Sequence, residues 1–408
     1  MTLPDQSVTD PASRPVFGLA GLLWPAPARI RIGRDLEPGW TSVAEYLPVP
    51  SATDPRLLLP RRPRRAAAAA LRHQTAGSRQ ARLRRGAGAL GVAAGLAELS
   101  RRPLIQVQAT GQVETIEAYL AGRLGEQVVL SLHLGKPRAN RKPVVQILTP
   151  SGRALGFAKI GVDRLTNDLV RTEALALGQL ARAPRRHFGV AAILATGSWN
   201  DLEVLVTEAL PVWRSGRVPS AGELTAAARE IAGLVAPVAL TVPEWLRASG
   251  LLDRLAGLPD SPGATAVRQA VDALVDRADE TRLECGAWHG DWTPWNTAVA
   301  GSRLLVWDWE RFAAPAPLGF DALHHALQQA LVPQRRNPRL AVAELAAGAS
   351  ALLAPYDVGP TVAPLVTIGY LAELAVRYLR DGQEAAGARL GRVGEWLVPE
   401  LRRLTQQP

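Results

Sequence analysis

Trp288-His289-Gly290-Asp291-Trp292-Thr293-Pro294-Trp295-Asn296, followed by Trp307-Asp308-Trp309-Glu310, is the stretch whose reading decides the fold. Asp291 and Asn296 stand five positions apart, a spacing at which one tight loop aims both side chains at a common point. Residues 297–299 and 304–307, separated by Gly301-Ser302, read as a β-hairpin. Such a hairpin returns the chain so that Asp308 emerges beside Asn296. A carboxylate able to take a proton then converges with two oxygen ligands suited to a hard cation such as magnesium. Phosphoryl transfer asks for little more, because the protein mainly positions groups and neutralises charge.

Upstream lies a candidate for the remaining charge. Lys159 ends the apolar run Phe157-Ala158-Lys159-Ile160, and Glu173 follows on a predicted helix at 164–182, where a carboxylate could hold the ammonium in place. Lys136, Lys142 and Lys159 are the three lysines among 47 basic residues. All fall within one short stretch, a weak pointer to a site that needs a compact ammonium rather than a planar guanidinium. β-rich runs occupy 104–109, 127–134, 144–148 and 155–160, with two more strands at 191–197 and 203–208. Residues 64–100, rich in Ala, Leu and Arg, read as one or two helices interrupted near Gly77 and Gly86. Prolines break every long helix in 1–60, although short apolar pieces such as 16–24 can still pack on a domain. After Pro211 the pattern is helical to the end, the 297–309 hairpin excepted.

The motif His289-Gly290-Asp291 with Asn296, and then Asp308, resembles the aminoglycoside phosphotransferase and choline kinase-like family, over roughly residues 125–400. The resemblance implies an α+β, bilobal protein-kinase-like fold. It would have a small mixed β-sheet lobe with one helix at 111–211, a larger mainly helical lobe at 212–408, and an extra N-terminal segment at 1–110. It implies ATP and Mg2+ as cofactors, Asp291 as catalytic base, and Asn296 with Asp308 as metal ligands. Lys159 and Glu173 would form the ion pair of the small lobe, and the segment 208–210, with Glu208 and Leu210, would face adenine. His289 belongs to the catalytic motif and is expected to brace its loop by hydrogen bonding. Asp321 starts a helix as a cap, with a supporting role near the site. The loop at 134–143 departs from the pattern. It holds one glycine, two prolines and several basic residues where a glycine-rich phosphate loop would stand.

Other features bound the reading. No apolar run reaches the roughly 18–20 residues of a membrane-spanning helix, and the start lacks a secretion-signal pattern, so a cytoplasmic location is expected. The single Cys285 excludes an intrachain disulfide and reads as a buried packing residue. A zinc site on His289, Asp291 and Asp308 lacks further clustered ligands. Most tryptophans of the motif read as packing, with Trp292 or Trp295 the candidates to face substrate. Residues 55–97 carry ten arginines and no acid. A solvated helical face is the plainer reading. An anionic membrane surface or an acidic partner is the alternative, and nucleic acid is disfavoured for want of an aromatic pattern.

The expected function is transfer of phosphate from ATP to a hydroxyl of a small molecule: a sugar, amino sugar or amino alcohol. The alternative is a pseudokinase-like scaffold that docks a partner or an anionic membrane through its basic N-terminal region.

Overall fold

The computed structural model describes residues 15–73, 79–96, 103–134, 138–214, 217–278 and 280–406. The chain is α+β and falls into two compact units. One comprises residues 1–136, 141–170 and 192–213; the other comprises 137–140, 171–191 and 214–408.

The first unit is built on β1 (Arg29–Gly33), β2 (Thr41–Val49), β3 (Leu57–Pro60), β4 (Leu104–Ala109), β5 (Val129–His133), β6 (Val144–Leu148) and β7 (Ala154–Ile160), completed by β9 (Ile193–Trp199) and β10 (Leu202–Glu208). They form one nine-stranded sheet in the order β1-β4-β2-β3-β5-β6-β7-β10-β9, and every pairing is antiparallel. Alternation along the strands sorts side chains between two faces. On one face Leu130, Leu132, Val145, Ile147, Ala158, Ile160, Val204 and Val206 pack with Ile116 and Leu120 of helix Ile116–Leu124. That helix starts where Thr115 Oγ1 accepts from the Ala118 N–H (3.1 Å) and stops at Gly125, left-handed at φ 69°. Part of the opposite face is covered by helix Arg64–Arg72. Its five consecutive alanines are buried, and three of them pack with Leu59 and Leu148. The helix keeps Arg64, Arg65 and Arg72 exposed.

Several expectations are corrected here. The sheet is neither small nor mixed: it is antiparallel, and it recruits β1 to β4 from the segment expected to be a separate extension ending at 110. The prolines of that segment do not exclude strands. Pairing of β2 with β4 ends at Tyr46, so Pro48 sits where β2 has only β3 beside it and its missing N–H costs no ladder bond. Helix Arg79–Ala93 runs uninterrupted through Gly86; Gly77 and Lys136 lie outside the described residues. Helix Ile116–Leu124 was missed although its Thr cap and terminal glycine are both in the sequence.

The second unit is mainly helical, but the hairpin is not its only β-structure. β11 (Val238–Thr241), β12 (Arg282–Trp288) and β15 (Ala313–Pro317) form an antiparallel sheet in the order β11-β12-β15. β13 (Thr297–Ala300) and β14 (Arg303–Val306) form the expected hairpin, joined in parallel by β8 (Phe188–Gly189). Gly301, at the first central position of the two-residue turn with φ 62°, supplies the conformation such a turn demands. Helices Val242–Ala248, Pro262–Ala278, Phe320–Leu331, Ala363–Asp381 and Val393–Gln406 enclose a core that includes Trp245, Val267, Leu274, Leu323, Leu371 and Leu397. Cys285, at 0% exposure, belongs to it, and burial pushes its thiol up to about 12. Among the described residues no helix is long and apolar enough to cross a membrane.

Candidate active site

β12 delivers the chain into the loop that carries the motif, and the loop is held almost entirely by groups distant in sequence. Gly290 has φ 80°, and a Cβ there would fall 2.1 Å from the Arg311 carbonyl oxygen, so only glycine fits. Its own carbonyl accepts from Arg377 Nη1 (2.5 Å). The backbone N–H groups of His289 and Gly290 donate to the two carboxylate oxygens of Asp321, at 2.8 and 3.1 Å. Asp321 is therefore no helix cap: Gly319 occupies the cap position of helix Phe320–Leu331, and the carboxylate reaches back to the loop. Burial pushes its pKa up to about 7, against the pull of the two N–H groups.

His289 is fully buried and braces the loop, as expected. Its Nδ1 accepts from the Asp291 N–H (3.1 Å), so Nε2 carries the proton and donates to the Trp307 carbonyl (3.1 Å). Burial lowers its pKa to about 4, which keeps this tautomer neutral. Asp291 accepts from Asn296 Nδ2 on Oδ2 (2.9 Å) and from His324 Nε2 on Oδ1 (3.1 Å). Burial by itself would raise the Asp291 carboxyl. The bond from His324 outweighs that and holds it below the usual carboxylate range. Burial also lowers the pKa of His324, whose Nδ1 pairs with the Tyr370 hydroxyl at 3.0 Å. A neutral His324 that accepts from Tyr370 and donates to Asp291 satisfies every partner in this chain of three.

The hairpin brings the next group into place. The Trp307 N–H donates to the Asn296 carbonyl (3.2 Å), closing the hairpin at its base with Asp308 immediately beyond. Asp308 adopts φ 69°, a left-handed conformation that L side chains rarely take and that costs energy unless the surroundings impose it. Asp308, Glu173 and Glu310 offer carboxylate oxygens all within 4.8 Å of one another. Glu173 and Glu310 are each 3% exposed. Glu173 Oε1 accepts from the Trp309 N–H (3.3 Å), and Glu310 accepts from Asn140 Nδ2 (3.2 Å). Carboxylate oxygens gathered in this way could hold a hard divalent cation. The donor set therefore suits magnesium. Asn296 Nδ2 is committed to Asp291, donating to its carbonyl and to its carboxylate.

Lys159, Glu208 and Leu210 lie in the first unit. Lys159 is half-buried on β7, opposite Val144 on one neighbour and Leu205 on the other, on the face away from Ala158 and Ile160. Glu208 ends β10 exposed, and its N–H donates to the Ala192 carbonyl (2.9 Å). The Leu210 carbonyl accepts from the Val212 N–H (2.8 Å). At the loop between β5 and β6, Arg141 Nε donates to the Leu134 carbonyl (2.5 Å). Of the two aromatic candidates for substrate contact, Trp292 is 1% exposed and packs edge-on against His289, whereas Trp295 is 41% exposed.

No protein-family model matches this sequence, and no curated protein matches it. Among solved structures it is similar to an aminoglycoside phosphotransferase in ternary complex with ADP and hygromycin B, with 13% identity, coverage of 72% of this chain and 99% of the other, and TM-score 0.47. It is similar to an amicoumacin kinase in complex with AMP-PNP, Ca2+ and Ami, with 14% identity, 68% and 88% coverage, and TM-score 0.42. A choline kinase from Streptococcus pneumoniae gives 13% identity, 71% and 98% coverage, and TM-score 0.45.

Three residues of the site were not legible beforehand. His324 and Tyr370 lie on helices with no motif around them, and only the packing of Phe320–Leu331 against Ala363–Asp381 joins them to Asp291. Glu310 was in view within Trp307-Asp308-Trp309-Glu310, and its spacing of two from Asp308 was the available signal.

Proposed function

We propose that the chain is an ATP- and magnesium-dependent phosphotransferase acting on a hydroxyl of a small molecule. The observation that carries this reading is Asp291, held ionised between Asn296 and His324 at the base of the hairpin that presents Asp308. Magnesium, when bound with ATP, supplies neutralisation of phosphate charge, and Asn296, Asp308, Glu173 and Glu310 are the residues that would hold it. Asp291 orients the acceptor O–H and takes its proton as the oxygen attacks the terminal phosphorus. A new P–O bond forms, the bond to the bridging oxygen breaks, and ADP leaves. His289 keeps the loop backbone in register through two bonds, and Asp321 fixes it from the other side. Lys159 is assigned to the nucleotide phosphates, where a compact ammonium is wanted, and 208–210 to adenine.

The scaffold alternative draws on the glycine-poor loop at 134–143. It leaves the Asp291–His324–Tyr370 chain and three clustered carboxylates without a task. The test is transfer of label from γ-labelled ATP into a broad pool of hydroxylated metabolites, beside a thermal shift with Mg·ATP. Label in an acceptor, abolished by Asp291→Asn, supports the enzyme. A folded sample that neither transfers phosphate nor hydrolyses ATP overturns it.

A further inference from the structure

Behind the catalytic loop, wholly within the second unit, is a cavity of about 250 Å³. Its walls come from helices Val242–Ala248, Leu251–Ala256 and Ala363–Asp381 and from strands β12 and β15. Trp245, Trp288 and Phe320 give it aromatic surfaces. Its charged lining is lopsided: four arginines, Arg254, Arg311, Arg377 and Arg380, against two acids, Glu373 and Asp381.

The carboxylates are already engaged. Arg254 grips Glu373 through both oxygens at 2.7 Å each, Arg377 approaches the same carboxylate at 3.6 Å, and Arg311 pairs with Asp381. A guanidinium offers five N–H donors, and one carboxylate pairing uses two of them. Pairing therefore leaves an excess of positive charge and of donors rather than of acceptors. A neutral donor adds to the excess: Trp245 is 1% exposed, and its indole N–H is buried with no hydrogen-bond partner among the described residues. Leaving such a donor unmet is costly, and an oxyanion is the acceptor that would meet it.

The cavity also adjoins the chain on either side of the catalytic loop and hairpin, through Trp288 and Arg311. Trp288 is the residue before His289. Arg377 lies over the Trp288 ring, 5.0 Å from its centroid, and donates to the Gly290 carbonyl. The backbone of Arg311 presses against Gly290 from the other side. The loop that presents Asp291 is thus part of the same structure as the arginine-lined wall.

We propose that this cavity receives the anionic end of the phosphate acceptor, so that the acceptor is a hydroxylated compound bearing a carboxylate or phosphate group rather than an amino alcohol or a polycationic amino sugar. The proposal rests on the phosphotransferase reading for the reaction, while the oxyanion site rests on the cavity alone. A planar guanidinium pairs with either oxyanion through two parallel bonds. The aromatic surfaces take the carbon skeleton.

The test uses the full chain with matched acceptors: glycerate and gluconate as carboxylates, glycerol 3-phosphate as the phosphate, and glycerol, sorbitol and ethanolamine as neutral and cationic counterparts. Binding is followed by tryptophan fluorescence without ATP, and transfer is followed with labelled ATP. The expected result is binding of acids at least tenfold tighter than of their counterparts, with carboxylate against phosphate preference naming the group. Trp245→Phe, which keeps the ring and removes the N–H, and Arg380→Gln, at an exposed position, should each weaken acid binding about tenfold, the value of one charge-assisted bond, with melting temperature unchanged. Equal or weaker binding of acids, or variants without effect on it, overturns the oxyanion site. Transfer to glycerol, sorbitol or ethanolamine in preference to the acids overturns the acceptor assignment. Acid binding without transfer to any compound keeps the anion site and overturns the phosphotransferase reading instead.

Discussion

The loop and hairpin of residues 288–310 and the strands of residues 129–160 were both read as parts that handle a nucleotide, yet they are built on different terms. In the first, bonds within the loop and hairpin are joined by bonds to residues far away in sequence: His289 and Gly290 to Asp321, Asp291 to His324, Gly290 to Arg377, Trp309 to Glu173. In the second, strand pairing sets where Lys159 stands, half-buried on β7 between Val144 and Leu205. Under the proposed function, the two regions would have different tasks. A base must be aimed within a few tenths of an ångström and kept in one protonation state, so it needs a closed network. A cation that neutralises phosphates would act at longer range.

Five substitutions can break or sharpen that contrast. The largest effect is expected from Asp291→Asn, which should lower kcat about a thousandfold and leave Mg·ATP affinity within a few-fold, measured by isothermal titration. Retained turnover would remove Asp291 from its role. His289→Gln comes next and reads stability. The unfolded chain takes up a proton between the ordinary histidine value of 6.5 and about 4, whereas the native ring does not. The contribution of neutral His289 is therefore complete above about pH 6.5 and is lost as pH falls towards 4. It amounts to about 3 kcal/mol, on the order of a hundredfold in the folding constant. Urea titrations across that range should show a shallower pH dependence in the variant. An unchanged slope would mean that the ring is not held neutral.

Glu310→Gln should weaken magnesium dependence about thirtyfold in activity assays, because it removes one charge from the carboxylate cluster. No change would leave Asp308 and Asn296 to act without it. For the strand region, Lys159→Met should raise the KM for ATP about tenfold while melting stays within about 2 °C. A large loss of stability there would erase the contrast between the two regions. His324→Gln is expected to cost about tenfold or less in kcat. Its signature is the acidic limb of the kcat profile moving upward, since Asp291 loses the bond that keeps its carboxyl low. A fall in kcat with the limb unmoved would assign His324 to packing alone.

Much of the scaffold was legible. β4, β6, the hairpin turn at Gly301 and helix Arg164–Arg182 follow the runs and periodicities of the sequence, since short-range pattern decides them. The strands β1 to β3 were hidden by prolines that sit at places a strand tolerates, β11 and β15 by their shortness, and β12 by the helical sequence before it. In the site, Glu173 has neighbours the sequence did not announce: its carboxylate lies close to those of Asp308 and Glu310, a neighbourhood made by helix and hairpin meeting.

The sequence by itself determined the chemistry: a carboxylate, an amide and a second carboxylate at fixed spacing around one loop and one hairpin, because contacts across so few residues are set by local backbone geometry. Tertiary structure alone decided the state and setting of those groups. His324, Tyr370, Asp321 and Arg377 reach the loop from helices far along the chain. Whether a carboxyl is held low, as at Asp291, or pushed up, as at Asp321, depends on burial and on partners that no spacing announces.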